Sequence, residues 1–422
     1  MGIEILYVQI FTEFCEKWGL KLRRGKMTSR ERVRKAINHS EPDRVPIDNG
    51  GVVSGMHEVA YRRLLAFLGL QDRITIYDPV QRLALVKDEV LDRLGVDTRY
   101  IFSNPPSFWT FEEKPDGSWT DEFGTGYRRS ELYSDYLYPA LRDATMEDLK
   151  RYRFPDPGDP ARFEDLRERA KDLYEKTDFA LVGGNTPTVF YLGWVLRGME
   201  QFMMDIVINR DFACYLMDRI VEWDIALLDG ILSEIGEYIE YQWVGDDWGI
   251  QHGPLISLEM FREIVAPRFK KIISFIKSKT NAKVVYHTCG STRFIIDDLI
   301  EIGVDIVQPL QANADGNEDP ALLKRDFGDR IVFHGNTNNQ GSFHMKKEVV
   351  KADVLYRIRH LAPGGGYIFS SGHNIQANMP PENILTLFDT AKEFGEYPID
   401  TERIDDGLRR IKRDHPSVTI PV

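Results

Sequence analysis

AKVVYHTCGSTRFIIDDLIEIGVDIVQ, residues 282–308, places a short β-branched run, an amphipathic helical stretch and a second short apolar run in succession. Two strands joined by a helix-length crossover pair in parallel, because a hairpin turn could not span that connection. The same alternation runs outward in both directions. Upstream stand RVPID at 44–48, DTRYIF at 97–102, FALVGG at 179–184 and YIEYQWVG at 238–245; downstream stand RIVFH at 330–334 and GYIFS at 366–370. With AKVVYH at 282–287 and VDIVQ at 304–308 these make eight strand-like runs. Eight β/α units predict an α/β fold of the closed (β/α)8 TIM-barrel type. A doubly wound sheet is the alternative, but no G-x-G-x-x-G fingerprint follows the first run. The triplet GGG at 364–366 precedes a strand, so it reads as a turn and not as a phosphate cradle.

Composition agrees with a folded domain. Hydrophobic residues make up 42% of the 422 and charged residues 28%, which excludes disorder and collagen-like structure. A net charge of −12 argues against nonspecific binding to a phosphate backbone, so no nucleic-acid partner is expected. The three cysteines, Cys15, Cys214 and Cys289, are too few and scattered for a disulfide framework and suit a reducing, cytoplasmic setting. No apolar run approaches the roughly 18 residues of a membrane span. Residues 1–26 are apolar in patches but carry Glu4, Glu13 and Glu16, so they read as a leader of uncertain standing and not as a signal peptide. From Met27 the sequence MTSRERVRKAIN reads as a capped helix, and 27–422 is expected to be one barrel domain. Within 104–137 the turn KPDGSW and the run DEFGTGYRR predict a β-hairpin inserted after the second strand.

In such a barrel, chemistry is expected where the strands end, at the carboxyl face. Just past those ends lie Asn49, Asn185, Asp246, Asp247, His287, Cys289, Gln308, Asn336 and His373. Alternation on a strand points His287 and Cys289 to one side and Thr288 to the other. Imidazole with thiolate suits zinc, and His373 in SSGHN is the candidate third ligand, which would leave one coordination position open. The alternative makes His287 a hydrogen-bonded strand-end histidine and Cys289 a small buried residue. Adjacent Asp246 and Asp247 point to opposite sides, so one could face the pocket while the other caps a helix. Asn49, Asn185, Gln308 and Asn336 are the candidate substrate-binding residues. Tyr241, Trp243 and Trp248 read as core, as does Cys214 on a helix. No G-x-S-x-G elbow supports a serine hydrolase.

These motifs resemble those of a known family. The opening Thr28–Asn38 with EPDRVP at 41–46, GDDWG at 245–249 followed by GPLIS at 253–257, HTCG at 287–290, LIEIGVD at 299–305 and PPENI at 380–384 together resemble uroporphyrinogen decarboxylase-like proteins. The resemblance spans about Met27 to Gly395 and implies a (β/α)8 barrel. True uroporphyrinogen decarboxylases carry an arginine-rich stretch after strand one, whereas DNGGVVSGMH at 48–57 has no arginine. The resemblance is therefore closer to the zinc-dependent corrinoid methyltransferase branch, whose His-x-Cys ligands match His287 and Cys289. Where that branch carries a later cysteine, nine residues before the glutamate of Pro-x-Glu-Asn, this chain has His373. Exchanging thiolate for imidazole leaves the site more positive and a stronger Lewis acid, which suits an oxygen or nitrogen bearing the methyl group, such as a methoxyl, over a thiol. The resemblance implies a small-molecule methyl donor, a corrinoid (cobalamin) carried by a partner protein, and possible homodimerisation. The alternative is a metal-free decarboxylase-like lyase in which Asp246 or Asp247 stabilises charge. A non-catalytic binding protein on the same scaffold is a third reading.

Overall fold

The structure, a computed structural model, describes residues 27–71 and 73–418. The proposed leader and Cys15 lie outside the described residues. Seven parallel strands form the central sheet: β1 Thr98–Ile101, β2 Ala180–Gly183, β3 Ile239–Gly245, β4 Lys283–Thr288, β5 Ile306–Pro309, β6 Val332–His334 and β7 Tyr367–Ile368. They follow one another in sequence order across the sheet. Each coincides with one of the runs picked out above.

The remaining run, 44–48, bonds to both edges of this sheet. On one side the Asp97 N–H donates to the Ile47 carbonyl at 2.8 Å. On the other, the Phe369 N–H donates to Pro46 and the Asp48 N–H to Phe369, both at 2.8 Å, around a parallel bridge between Ile47 and Phe369. The sheet thus curls into a TIM-barrel-like α/β fold. The decisive stretch 282–308 forms β4, helix Ile296–Ile302 and β5, with Val285 opposite Ile306. Gly303, at φ +103°, ends that helix in the left-handed conformation that turns the chain into β5.

Alternation along the strands divides the core into two layers. Val182, Tyr241, Trp243, Val285, Ile306, Val332 and Ile368 meet inside the curl of the sheet. Leu181, Val244, Val284, Tyr286, Val307, Phe333 and Tyr367 face the surrounding helices. The aromatic residues expected as core are buried, Trp248 among them. Helix Ser29–Ala36, capped by Thr28 and Glu31 in a reciprocal capping box, adds Val33 and Ile37 to the inner cluster. Cys214 lies part-buried on helix Arg210–Ile235.

The insertion after β1 differs from the expected hairpin. It is a three-stranded antiparallel sheet, Ser118–Thr120, Gly126–Arg129 and Ser134–Tyr138, in which the middle strand bonds to both neighbours. The third strand follows from Tyr127, whose ring stacks on Trp119 at 4.3 Å and also packs on Tyr136 from the far strand at 5.1 Å. A lone hairpin would leave that face of Tyr127 in water. Among the described residues, no helix is long and apolar enough to cross a membrane.

Candidate metal centre and cavity

His287 lies at the end of β4 on the inward-facing parity of Val285, and Cys289 follows two residues later. Their side chains meet, with Cys289 Sγ 3.5 Å from His287 Nε2. His373 arrives from the loop after β7, its ring centroid 5.6 Å from that of His287 and inclined at 61°. One ligand atom from each of the three lies within 4.8 Å of the others. Eighty-four residues of chain separate the last two, and the curl of the sheet brings them together.

The backbone makes room for this approach. A Cβ at Gly245, on the neighbouring strand, would stand 2.4 Å from the His287 carbonyl oxygen. Gly290, at φ +79°, turns the chain directly after Cys289 and presses against Gly249, where an added Cβ would meet the carbonyl oxygen at 2.1 Å. These contacts hold the 245–249 and 287–290 segments against each other without side chains between them.

Gln308 sits opposite His287 in the β4–β5 register. Its Oε1 hydrogen-bonds His287 Nδ1, so Nε2 is left facing Cys289. Its Nε2 donates to the Gly372 carbonyl at 3.2 Å. One amide therefore orients the first histidine and ties down the loop that carries the third ligand. Asn339 donates to the His373 carbonyl at 2.9 Å and Thr337 accepts from Gly372 N–H at 2.7 Å, fixing that loop from its other side.

Asp246 and Asp247 part as alternation requires. Asp246 is buried and accepts from the N–H groups of Val189, Phe190 and Tyr191 at 2.7–2.9 Å, capping the start of helix Phe190–Arg197. Burial pushes its carboxyl up to about 7 against the pull of those three donors. Asp247 faces the triad: Oδ1 accepts from Cys289 N–H at 2.8 Å and lies 3.4 Å from His287 Nε2. Its side chain is 56% exposed, yet that exposure is to a cavity walled by protein atoms. Enclosure there raises its pKa, but contact with His287 outweighs it and brings the carboxyl down to about 2.

The triad's electrostatics follow from crowding. Burial raises the Cys289 thiol. Burial alone would depress His287, but the Cys289 sulfur and Asp247 hold it well above its ordinary value. His373, part-buried in the cavity wall beside His287, is depressed to about 4 and presents a neutral imidazole. Two nitrogens and one sulfur, with one histidine oriented through its far nitrogen, form a donor set that fits zinc with an open position.

The triad histidines line a cavity of about 1480 Å³. Tyr77, Phe102, Phe190, Tyr191, Trp194 and Trp223 give it aromatic walls. Asp78, Glu122, Asp224 and Asp247 also line it, while its single arginine, Arg162, is paired with Glu122. Of the expected substrate contacts, Asn185 lines the cavity and holds Ser103 through Oδ1 and Nδ2 at 2.9 and 2.8 Å. Gln308 stands behind His287. Asn49 and Asn336 are buried away from the cavity, donating to the carbonyls of Ser54 and Leu310. Sequence reading missed Asp78, Tyr191, Trp194 and Asp224. Asp78 ends a short antiparallel strand outside the parallel sheet and the others lie on helices, so none stands at the end of a parallel strand.

Parallel strands curling around a buried core, with a His/Cys/His cluster at their carboxyl ends, define the class of molecule. The chain belongs to the uroporphyrinogen decarboxylase (URO-D) family, whose profile matches residues 132–394. It is 22% identical over 334 residues to a uroporphyrinogen decarboxylase of Chloroherpeton thalassium, covering 77% of this chain and 88% of that protein. It is 25% identical over 254 residues to that of Aquifex aeolicus, covering 59% and 69%. Among solved structures, a methyltransferase from Methanosarcina mazei aligns with a TM-score of 0.59 at 18% identity, covering 87% of this chain and 99% of that one. At that identity the likeness is one of fold. The sequence relatives and the structural neighbour are enzymes.

Proposed function

We propose that the protein is a zinc-dependent methyltransferase that moves a methyl group between a small methylated compound, such as a methoxyl ether, and a corrinoid held by a partner protein. The observation that carries this reading is the convergence of His287, Cys289 and His373 donors within 4.8 Å on an acidic, aromatic-walled cavity. These three residues would hold zinc, which when bound supplies Lewis acidity toward the heteroatom that bears the methyl group. Gln308 keeps His287 Nε2 turned toward the metal position. Asp247 keeps the Cys289 backbone in place and sets a carboxylate beside His287 Nε2. Asp246 supports the site as a helix cap. We also read 44–48 as the eighth strand of a closed (β/α)8 barrel, and 27–422 as one domain.

The size of the cavity bears on the partner. Small-molecule sites usually occupy roughly 300–1,000 Å³. A space of about 1480 Å³ leaves room beside a small methyl donor for the reactive face of a second molecule.

The URO-D relatives favour the decarboxylase alternative by name. Their substrate, as a porphyrinogen, would bring several carboxylates into a cavity whose single arginine is already paired and whose other ionisable walls are mostly acids. Such a substrate would find no unpaired guanidinium or ammonium among the lining residues. The test is metal content of protein purified without added zinc, together with methyl transfer to reduced corrinoid. About one zinc per chain, lost in both Cys289→Ala and His373→Ala, is expected. Fully active protein without metal would overturn the proposal.

A further inference from the structure

The cavity has a polar residue that no protein group satisfies. Helix Arg210–Ile235 turns Trp223, Asp224, Leu227, Leu228 and Ile231 toward it. Asp224 is 4% exposed, and its Oδ2 has no hydrogen-bond partner. The other acids of this region are bonded. Asp246 takes three backbone N–H groups, and Asp78 takes those of Val80 and Gln81 together with the Gln81 amide, each at 2.9 Å. Thr186, at the opening of the β2 loop, also lines the cavity, and its buried Oγ1 likewise has no partner.

An aspartate in a helix interior, facing apolar neighbours, costs stability relative to leucine unless something bonds to it. From this geometry we infer that Asp224 is a specificity-determining residue, which hydrogen-bonds a hydroxyl group on an uncharged, ring-bearing substrate lying in the aromatic-walled cavity. The inference rests on the methyltransferase reading for the role of that substrate, but not for its binding.

The chemistry narrows the ligand. Burial, reinforced by the nearby Asp246, pushes the Asp224 carboxyl well above the usual carboxylate range. That shift favours the protonated acid, which both donates and accepts, as a hydroxyl does. An anionic group would meet the acids of the cavity, and a purely apolar ring would leave Asp224 and Thr186 unsatisfied. Planar rings suit walls made by Phe190, Tyr191, Trp194 and Trp223.

The test compares 2-methoxyphenol with methoxybenzene, which differ by one hydroxyl. Binding to the full chain would be followed by calorimetry and by tryptophan fluorescence, since Trp194 and Trp223 line the cavity. Wild type is expected to bind the phenol about tenfold tighter. Asp224→Leu should abolish that preference without weakening methoxybenzene binding and without lowering the unfolding temperature. Asp224→Asn should retain part of the preference. Equal binding of the two rings by wild type, binding of neither, or a preference that survives in Asp224→Leu would overturn the inference. A preference that depends on Asp224 without methyl transfer to reduced corrinoid would sink the methyltransferase reading alone. Transfer from both ethers, with the variant equal to wild type, would sink the Asp224 assignment alone.

Discussion

Two strand-end histidines inside the curl of this sheet have opposite surroundings. His334 ends β6 and His287 ends β4, both pointing inward. His334 Nε2 lies 3.0 Å from Asp48, and both side chains are fully buried. Asp48 also accepts from Ser54, Thr98, Tyr100 and Tyr241, so its oxygens are filled by protein donors. Burial would raise its carboxyl, but His334 and the hydroxyls hold it below the usual range. His287 instead turns Nε2 toward a thiol and a second histidine at the wall of a cavity. The first cluster fills its aspartate with protein donors inside the core, leaving His334 Nδ1 buried without a partner, and acts as an internal strut. The second is held from behind and open in front, which is what a ligand site requires.

The largest effect that would sharpen this contrast is at the open cluster. Cys289→Ala should remove the metal and bring methyl transfer to background, with little change in urea-unfolding midpoint for the metal-free protein. Loss of fold in place of loss of zinc would erase the distinction between the clusters. At the Asp48 cluster the pattern should invert. Asp48→Ala leaves His334 and four hydroxyls without their acceptor, and should cost about 3–5 kcal/mol in urea denaturation.

A smaller effect is expected behind the metal position. Gln308→Ala frees His287 Nδ1 and releases the Gly372 loop, and should weaken zinc binding by about 10–100-fold in a chelator competition. Unchanged affinity would mean that the histidine is oriented by packing alone. The smallest effect concerns Asp247 in metal-free protein. Its folded pKa of about 2 lies below the ordinary 3.8, so its contribution is present above pH 4 and lost as pH falls toward 2. The half-exposed side chain keeps this below about 1 kcal/mol. Asp247→Asn should flatten the stability curve over that window, and an unchanged curve would show that the Asp247–His287 contact contributes nothing.

Several of these features are legible in the sequence alone. The β4 run carries its own parity, so His287 and Cys289 had to share a side and Thr288 had to face away, where its hydroxyl indeed accepts from Trp248 N–H. Asp246 and Asp247 had to diverge for the same reason. The third strand of the inserted sheet, SDYLY, has no alternation that distinguishes it from a loop, so the sequence shows only a hairpin there; its pairing depends on Tyr127 from another strand. Asn49 and Asn336 stood at strand ends like Asn185, and only the positions of Ser54 and Leu310 show that their amides serve the backbone.

Local chemistry by itself determined the parallel α/β architecture and the His-x-Cys pair, because periodicity and side-chain parity act over a few residues. Tertiary structure decided which strand-end histidine is enclosed by an aspartate and which opens on a cavity, and that His373 meets the pair across the curl of the sheet. It also decided that Asp224, an unremarked acid on a long helix, faces that cavity with no protein partner. Those outcomes depend on which distant surfaces pack together, and hydrogen-bond satisfaction is a property of the whole enclosure and not of the segment that supplies the donor.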